Sequence, residues 1–125
     1  MHKLRPADFQ GNFTLITTEA GGRKTPAISG YRPHHELHEN YLSSGTHEYL
    51  DTEILWPGES SRVKVWLLAP HAYPNCLWVG RKLNVGEGSR VIGVLTITEI
   101  FTQSLVCVPS EYKPIWVAPI DLIQN

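Results

Sequence analysis

The feature that most limits this chain is a missing period. No long window places apolar residues at i, i+3, i+4 and i+7, the spacing that gives a helix one buried face. Short alternating segments take its place. In "FQGNFTLITT", Phe9, Phe13 and Leu15 fall on one face and Gln10, Asn12 and Thr14 on the other. In "SRVKVWLLAP", Val63, Val65, Leu67 and Ala69 alternate with Arg62, Lys64 and Trp66. "YLDTEILW" groups Leu50, Ile54 and Trp56 away from Asp51 and Glu53. "CLWVGRKL" and "RVIGVLTITEIF" supply two more strands. The second of these is apolar on both faces, which predicts a central strand or one bent at Gly93.

Turn signals separate these runs at short intervals: "AGG", "SSG", "WPGES", "YPN" and "VGEGS". Short strands with regular turns predict an all-β barrel or sandwich. A length of 125 residues predicts one domain, and 42% hydrophobic content is enough for a real core. The last residues differ. "SLVCVPSEYKPIWVAPIDLIQN" is apolar but interrupted by Pro109, Pro114 and Pro119. Such a segment predicts extended pieces that pack on the barrel or on a partner.

Charge narrows the function classes. Eleven Lys and Arg against twelve Asp and Glu give a formal net charge of -1, which excludes a bulk-basic nucleic-acid binder and leaves room for a local basic patch. The N-terminus "MHKLRPADF" has no apolar run behind its charges, so no signal peptide is predicted. No apolar run approaches the roughly 20 residues needed to span a bilayer. Cys76 and Cys107 are too few for a disulfide scaffold and form no CxxC pair. A cytoplasmic protein with free thiols is the expectation.

Chemistry-bearing clusters are sparse. Three histidines crowd "HHELHE", and His47 follows. On a helix, His34 and His38 would share a face; on a strand, His34, Glu36 and His38 would. Either spacing suits zinc, but no Cys or second His pair completes a closed site, so a solvated polar face is the preferred reading. "VGEGS" lacks the Lys-Ser/Thr of a phosphate loop and reads as a hairpin loop. "EAGGR" reads as a tight turn presenting Arg23 and Lys24. No nucleophile elbow or ordered triad appears, and an undirected Cys76 is more often a small buried hydrophobe than a nucleophile. Neither an enzyme nor a cofactor is expected. Arg32, Arg62, Lys64, Arg81, Lys82 and Arg90 would extend a basic surface only if their strands are adjacent.

Three blocks carry a resemblance. "EAGGRKTPAISGYRP", "WPGESSRVKVWLLAPHAY" and "EGSRVIGVLTITEI" resemble, in order and approximate spacing, segments of the C-terminal β-barrel, domain III, of elongation factor Tu. The likeness covers about residues 6 to 101. It implies a closed six-stranded antiparallel barrel over 1–101, followed by a short extended extension over 102–125 that packs on the barrel or a partner. It implies that the glycine of GYRP allows a turn into a strand. It also implies a tRNA-facing surface, with Arg23 and Lys24 on phosphates and His34, Glu87 and Gly88 near the tRNA backbone; an RNA binder would also use Arg32.

The departures are equally specific. The nucleotide-binding domain and the middle barrel of that family have no counterpart here, so GTP binding is not expected. Ala69 replaces a basic residue. His35 stands where the family has an inward aromatic residue, and is expected to be partly buried. The tail after Phe101 has no family counterpart; with the starting methionine, it argues for a natural full-length chain. The resemblance therefore implies a stand-alone, non-catalytic barrel that binds a protein of the translation machinery, as a mimic or regulator of elongation factor Tu. Trp66, Trp78 and Trp116 would serve the interface, since aromatic residues are enriched there, or would merely cover the barrel's ends. The alternative is a weak tRNA or RNA backbone binder. A metal-dependent enzyme using His34, Glu36, His38 or His47 is the third reading.

Overall fold

Phe9, Phe13 and Leu15 are completely buried, whereas Asn12 and Thr14 between them face out. That alternation belongs to the first strand of a closed barrel in a computed structural model that describes residues 5–39 and 41–113. The barrel strands are β1 (Phe9–Leu15), β3 (His34–His38), β4 (Tyr41–Tyr49), β6 (Ser60–Leu67), β7 (Lys82–Glu87) and β8 (Arg90–Ile100). They run antiparallel in the order β1-β6-β4-β3-β7-β8, and β1 pairs with both β6 and β8 to close the cylinder. Closure removes the exposed strand edges that make open sheets prone to association. A separate two-stranded ribbon pairs β2 (Ala27–Ile28) with β5 (Ile54–Leu55).

The interior is filled by Phe9, Phe13, Leu15, Val63, Val65, Leu67, Leu83, Val85, Leu95 and Ile97. Three bulges bend the wall, where Leu37, Ile92 and Thr98 are extra residues in their strands. The bulge at Ile92 lies beside Gly93, the expected bend, and β8 is flanked on both sides. Gly30 takes φ 103° in the turn ahead of Tyr31, a backbone state that glycine adopts without strain.

Two local expectations are corrected. Leu55 is buried, while Ile54 and Trp56 are exposed, the reverse of the expected facing, because β5 pairs only with the ribbon strand β2. "CLWVGRKL" is not a strand: residues before Lys82 form a loop with one bridge from Leu77 to Val106, and the hairpin turn shrinks to Gly88–Ser89.

That bridge belongs to a strap. Residues 102–113 lie on the barrel, with Leu105 wholly buried. The Cys76 and Leu77 amides both donate to the Leu105 carbonyl, at 2.9 and 2.8 Å, and the Cys107 amide donates to Leu77 at 2.8 Å. Further along, the Tyr112 hydroxyl donates to the Leu37 carbonyl at 3.3 Å, and Arg81 donates to the same oxygen at 2.8 Å. The described part of the extension thus packs on its own barrel. Among the described residues, no helix is long and apolar enough to cross a membrane.

Candidate functional site

Three segments far apart in sequence meet at one end of the barrel. The loop after the short turn Thr18–Ala20 delivers Arg23, the turn at Gly30 delivers Tyr31, and the tip of the β7–β8 hairpin delivers Glu87, Gly88 and Arg90. The Thr18 hydroxyl donates to the Arg23 carbonyl at 2.6 Å and fixes the loop. The guanidinium of Arg23 then stacks over the Tyr31 ring, 4.6 Å from its centroid. One of its nitrogens forms an ion pair with Glu87. Nη2 reaches the Thr25 hydroxyl at 2.9 Å and the Pro26 carbonyl at 3.2 Å, and Nε reaches the Thr25 carbonyl at 3.2 Å. Tyr31 donates its hydroxyl to the same Glu87 oxygen at 2.5 Å.

The electrostatics follow from this crowding. Donation from Tyr31, helped by Arg23, holds the Glu87 carboxyl below its ordinary value against the opposing effect of burial. Burial, reinforced by the bond to Glu87, pushes the Tyr31 phenol up to about 12. Arg23 keeps only 18% of its side chain exposed. Arg90 reaches the other Glu87 oxygen at 3.5 Å and remains half exposed.

The structure brings together Arg23, His34, Glu87 and Gly88 of the expected RNA-facing set. His34 reaches the Gly88 carbonyl through Nε2 at 2.8 Å. Lys24 is exposed on the same loop. Arg32 is not part of the group; it lines a separate depression of about 230 Å³ with Arg5, Thr46 and Trp66. The histidines considered for metal diverge. His34 turns to Gly88, His38 stacks on Tyr112 with ring centroids 5.6 Å apart, and His47 lies in the core. Among the described residues, no group of three or more His, Cys, Asp or Glu side chains is placed to hold a metal.

The expected interface tryptophans sit differently. Trp66 projects from the outer face of β6, yet is only 7% exposed, because its indole N–H donates to the Arg5 carbonyl at 2.8 Å beneath the N-terminal arm. Trp78 is half-buried against Arg81 and Tyr112. Trp116 lies outside the described residues. Trp56 is exposed instead, at 51%, beside Ile54 at 45% and Ile28 at 58% on the ribbon, and Phe101 is exposed elsewhere. Ile28 and Ile54 are cross-strand partners.

Sequence reasoning also missed the polar interior. His35, expected to be partly buried, is completely buried, and so is His47. Their Nε2 atoms are 2.8 Å apart. Gly45 makes the room: a Cβ there would lie 2.9 Å from His35 Cε1 and 2.9 Å from Val65 Cγ1. The departure from an aromatic residue at position 35 was the one available signal. No protein-family model matches the chain.

Proposed function

We propose that this chain is a non-catalytic, translation-factor-like barrel of the cytoplasm that binds a protein of the translation machinery, as a mimic or regulator of elongation factor Tu. The reading starts from the three sequence blocks that resemble domain III of that factor. The observation that carries it is the state of Arg23. A guanidinium held by Glu87, Thr25, Pro26 and Tyr31 serves the fold, and its charge is balanced by Glu87. Phosphate binding by this residue would require breaking those bonds. That weakens the RNA reading at the position the resemblance made most important. The ribbon that continues from this loop exposes Ile28, Ile54 and Trp56 instead. Aromatic and aliphatic side chains of this kind anchor protein interfaces.

A tRNA or RNA backbone reading retains exposed Lys24, Arg32 and Arg90. Capture from a cytosolic lysate, with and without nuclease, separates the two. The expected result is nuclease-resistant capture of a translation protein, weakened at least tenfold by Trp56→Ser and little changed by Lys24→Ala with Arg90→Ala. Nuclease-sensitive capture, lost with added salt and with the two cationic residues, would reverse the assignment.

A further inference from the structure

The seams of the barrel are unequal. β1 meets β8 through seven residue pairs and β6 through six, and β4 meets β6 through five. β3 meets β7 only through His34–Gly86 and His35–Val85. His35 therefore lies on the thinnest seam. Its side chain begins a buried string: His35 Nδ1 is 3.0 Å from the Ser43 carbonyl, and His47 Nδ1 is 2.9 Å from the Tyr49 hydroxyl.

With both rings neutral, the string has one consistent arrangement of protons. A carbonyl can only accept, so His35 Nδ1 carries the hydrogen and its Nε2 accepts. His47 Nε2 must then donate across the 2.8 Å gap, and His47 Nδ1 accepts from Tyr49. A proton added to His35 sets one donor against another. Relief requires His47 to change tautomer and Tyr49 to accept where it had donated.

Among the described residues, only the Ser43 carbonyl favours a charge on His35, against the larger opposing effect of burial. Phe9 and Phe13 from β1 stand edge-on to His35 and His47, and β6 contributes Val65. β7 and β8 fill the interior with Leu83, Val85 and Leu95. The titratable neighbours are Tyr49, Tyr31 edge-on to His47 at 6.1 Å, and His34, with Arg23 behind Tyr31. Glu48 and Lys64 occupy the outward-facing positions of β4 and β6. Among the described residues, no carboxylate acts on either ring.

We propose that the His35–His47–Tyr49 string is an acid-sensitive latch, which keeps the β3–β7 seam closed while both imidazoles are neutral and lets it open when His35 takes up a proton. Opening is local, because the other seams keep more pairs. Burial lowers the proton affinity of both rings, His35 to about 4, which is the same penalty seen from the folded side.

Amide hydrogen exchange on the full chain from pH 7.5 to 5, expressed as protection factors, tests this latch. Protection of the amides that cross the β3–β7 seam is expected to fall about tenfold per pH unit below the ordinary histidine pKa, one proton per opening. At every pH, protection in β1 and β6 is expected to stay above that of the seam, because global unfolding costs more than the local opening. In His35→Phe, the seam is expected to lose this dependence. Ring nitrogen shifts of the unsubstituted chain give a second readout that needs no variant: His35 protonated at Nδ1 and His47 at Nε2 at pH 7.5. Seam protection indifferent to pH, seam amides as protected as those of β1 and β6, the opposite tautomers, or an acid-opening seam in His35→Phe would each overturn the latch.

Discussion

Asp8 is a fully buried carboxylate enclosed by donors. Arg5 grips both oxygens at 2.9 and 3.1 Å, the Leu67 amide donates at 2.7 Å and the Thr102 hydroxyl at 2.6 Å. It ties the N-terminal arm, β6 and the start of the strap together. Asp8→Ala would leave the Leu67 amide buried without its acceptor and is expected to destabilise the fold by about 2–3 kcal/mol, read as a lower urea midpoint. An unchanged midpoint would mean that water replaces the carboxylate. Nothing in the sequence marks this residue, because two of its partners lie 59 and 94 positions away. Gly45 and His35 likewise acquire their meaning only when β3 and β4 are side by side.

At the scale of elements, the strap and the seam depend on each other. β3 runs out of β7 partners after His35, and the Leu37 carbonyl is instead reached by Arg81 and by Tyr112 of the strap. Leu105→Ala is expected to cost about 2–5 kcal/mol, since Leu105 is wholly buried. Val108→Ser, at an exposed strap position, is expected to stay within about 0.5 kcal/mol. Equal effects in thermal melts would mean that the strap is a loose appendage. The apolar alternation of β1 and β6 is legible in the sequence, because a strand turns successive side chains to opposite faces. The ribbon strand β5 defeats the same rule. Two residues carry too short a pattern to fix which one faces inward.

For the whole molecule, the buried histidines set an acid limit. His35 binds its proton only near 4, against an ordinary 6.5, and burial also lowers His47 and His38, the latter further opposed by Arg81. Between those limits the unfolded chain binds more protons than the folded one. Stability is therefore full above about pH 6.5 and falls as pH drops. Glu87, held below its ordinary value by Tyr31 and Arg23, adds a further loss at lower pH. The alkaline limit has the opposite sign. Tyr31 keeps its proton to about 12, so its contribution is lost as pH rises from 10 through that value. Urea midpoints are expected to be highest near neutral to mildly alkaline pH, and a midpoint unchanged between pH 8 and 5 would contradict neutral buried imidazoles. What the sequence by itself determined was the all-β class, the turns and most of the inward faces, because alternation and turn chemistry are properties of neighbouring residues. Tertiary structure alone decided that Trp66 is covered by Arg5, that two histidines meet inside the barrel, and that Arg23 turns inward to Glu87, 64 positions away. Those outcomes depend on which strands close the cylinder, and closure brings together partners that no local pattern encodes.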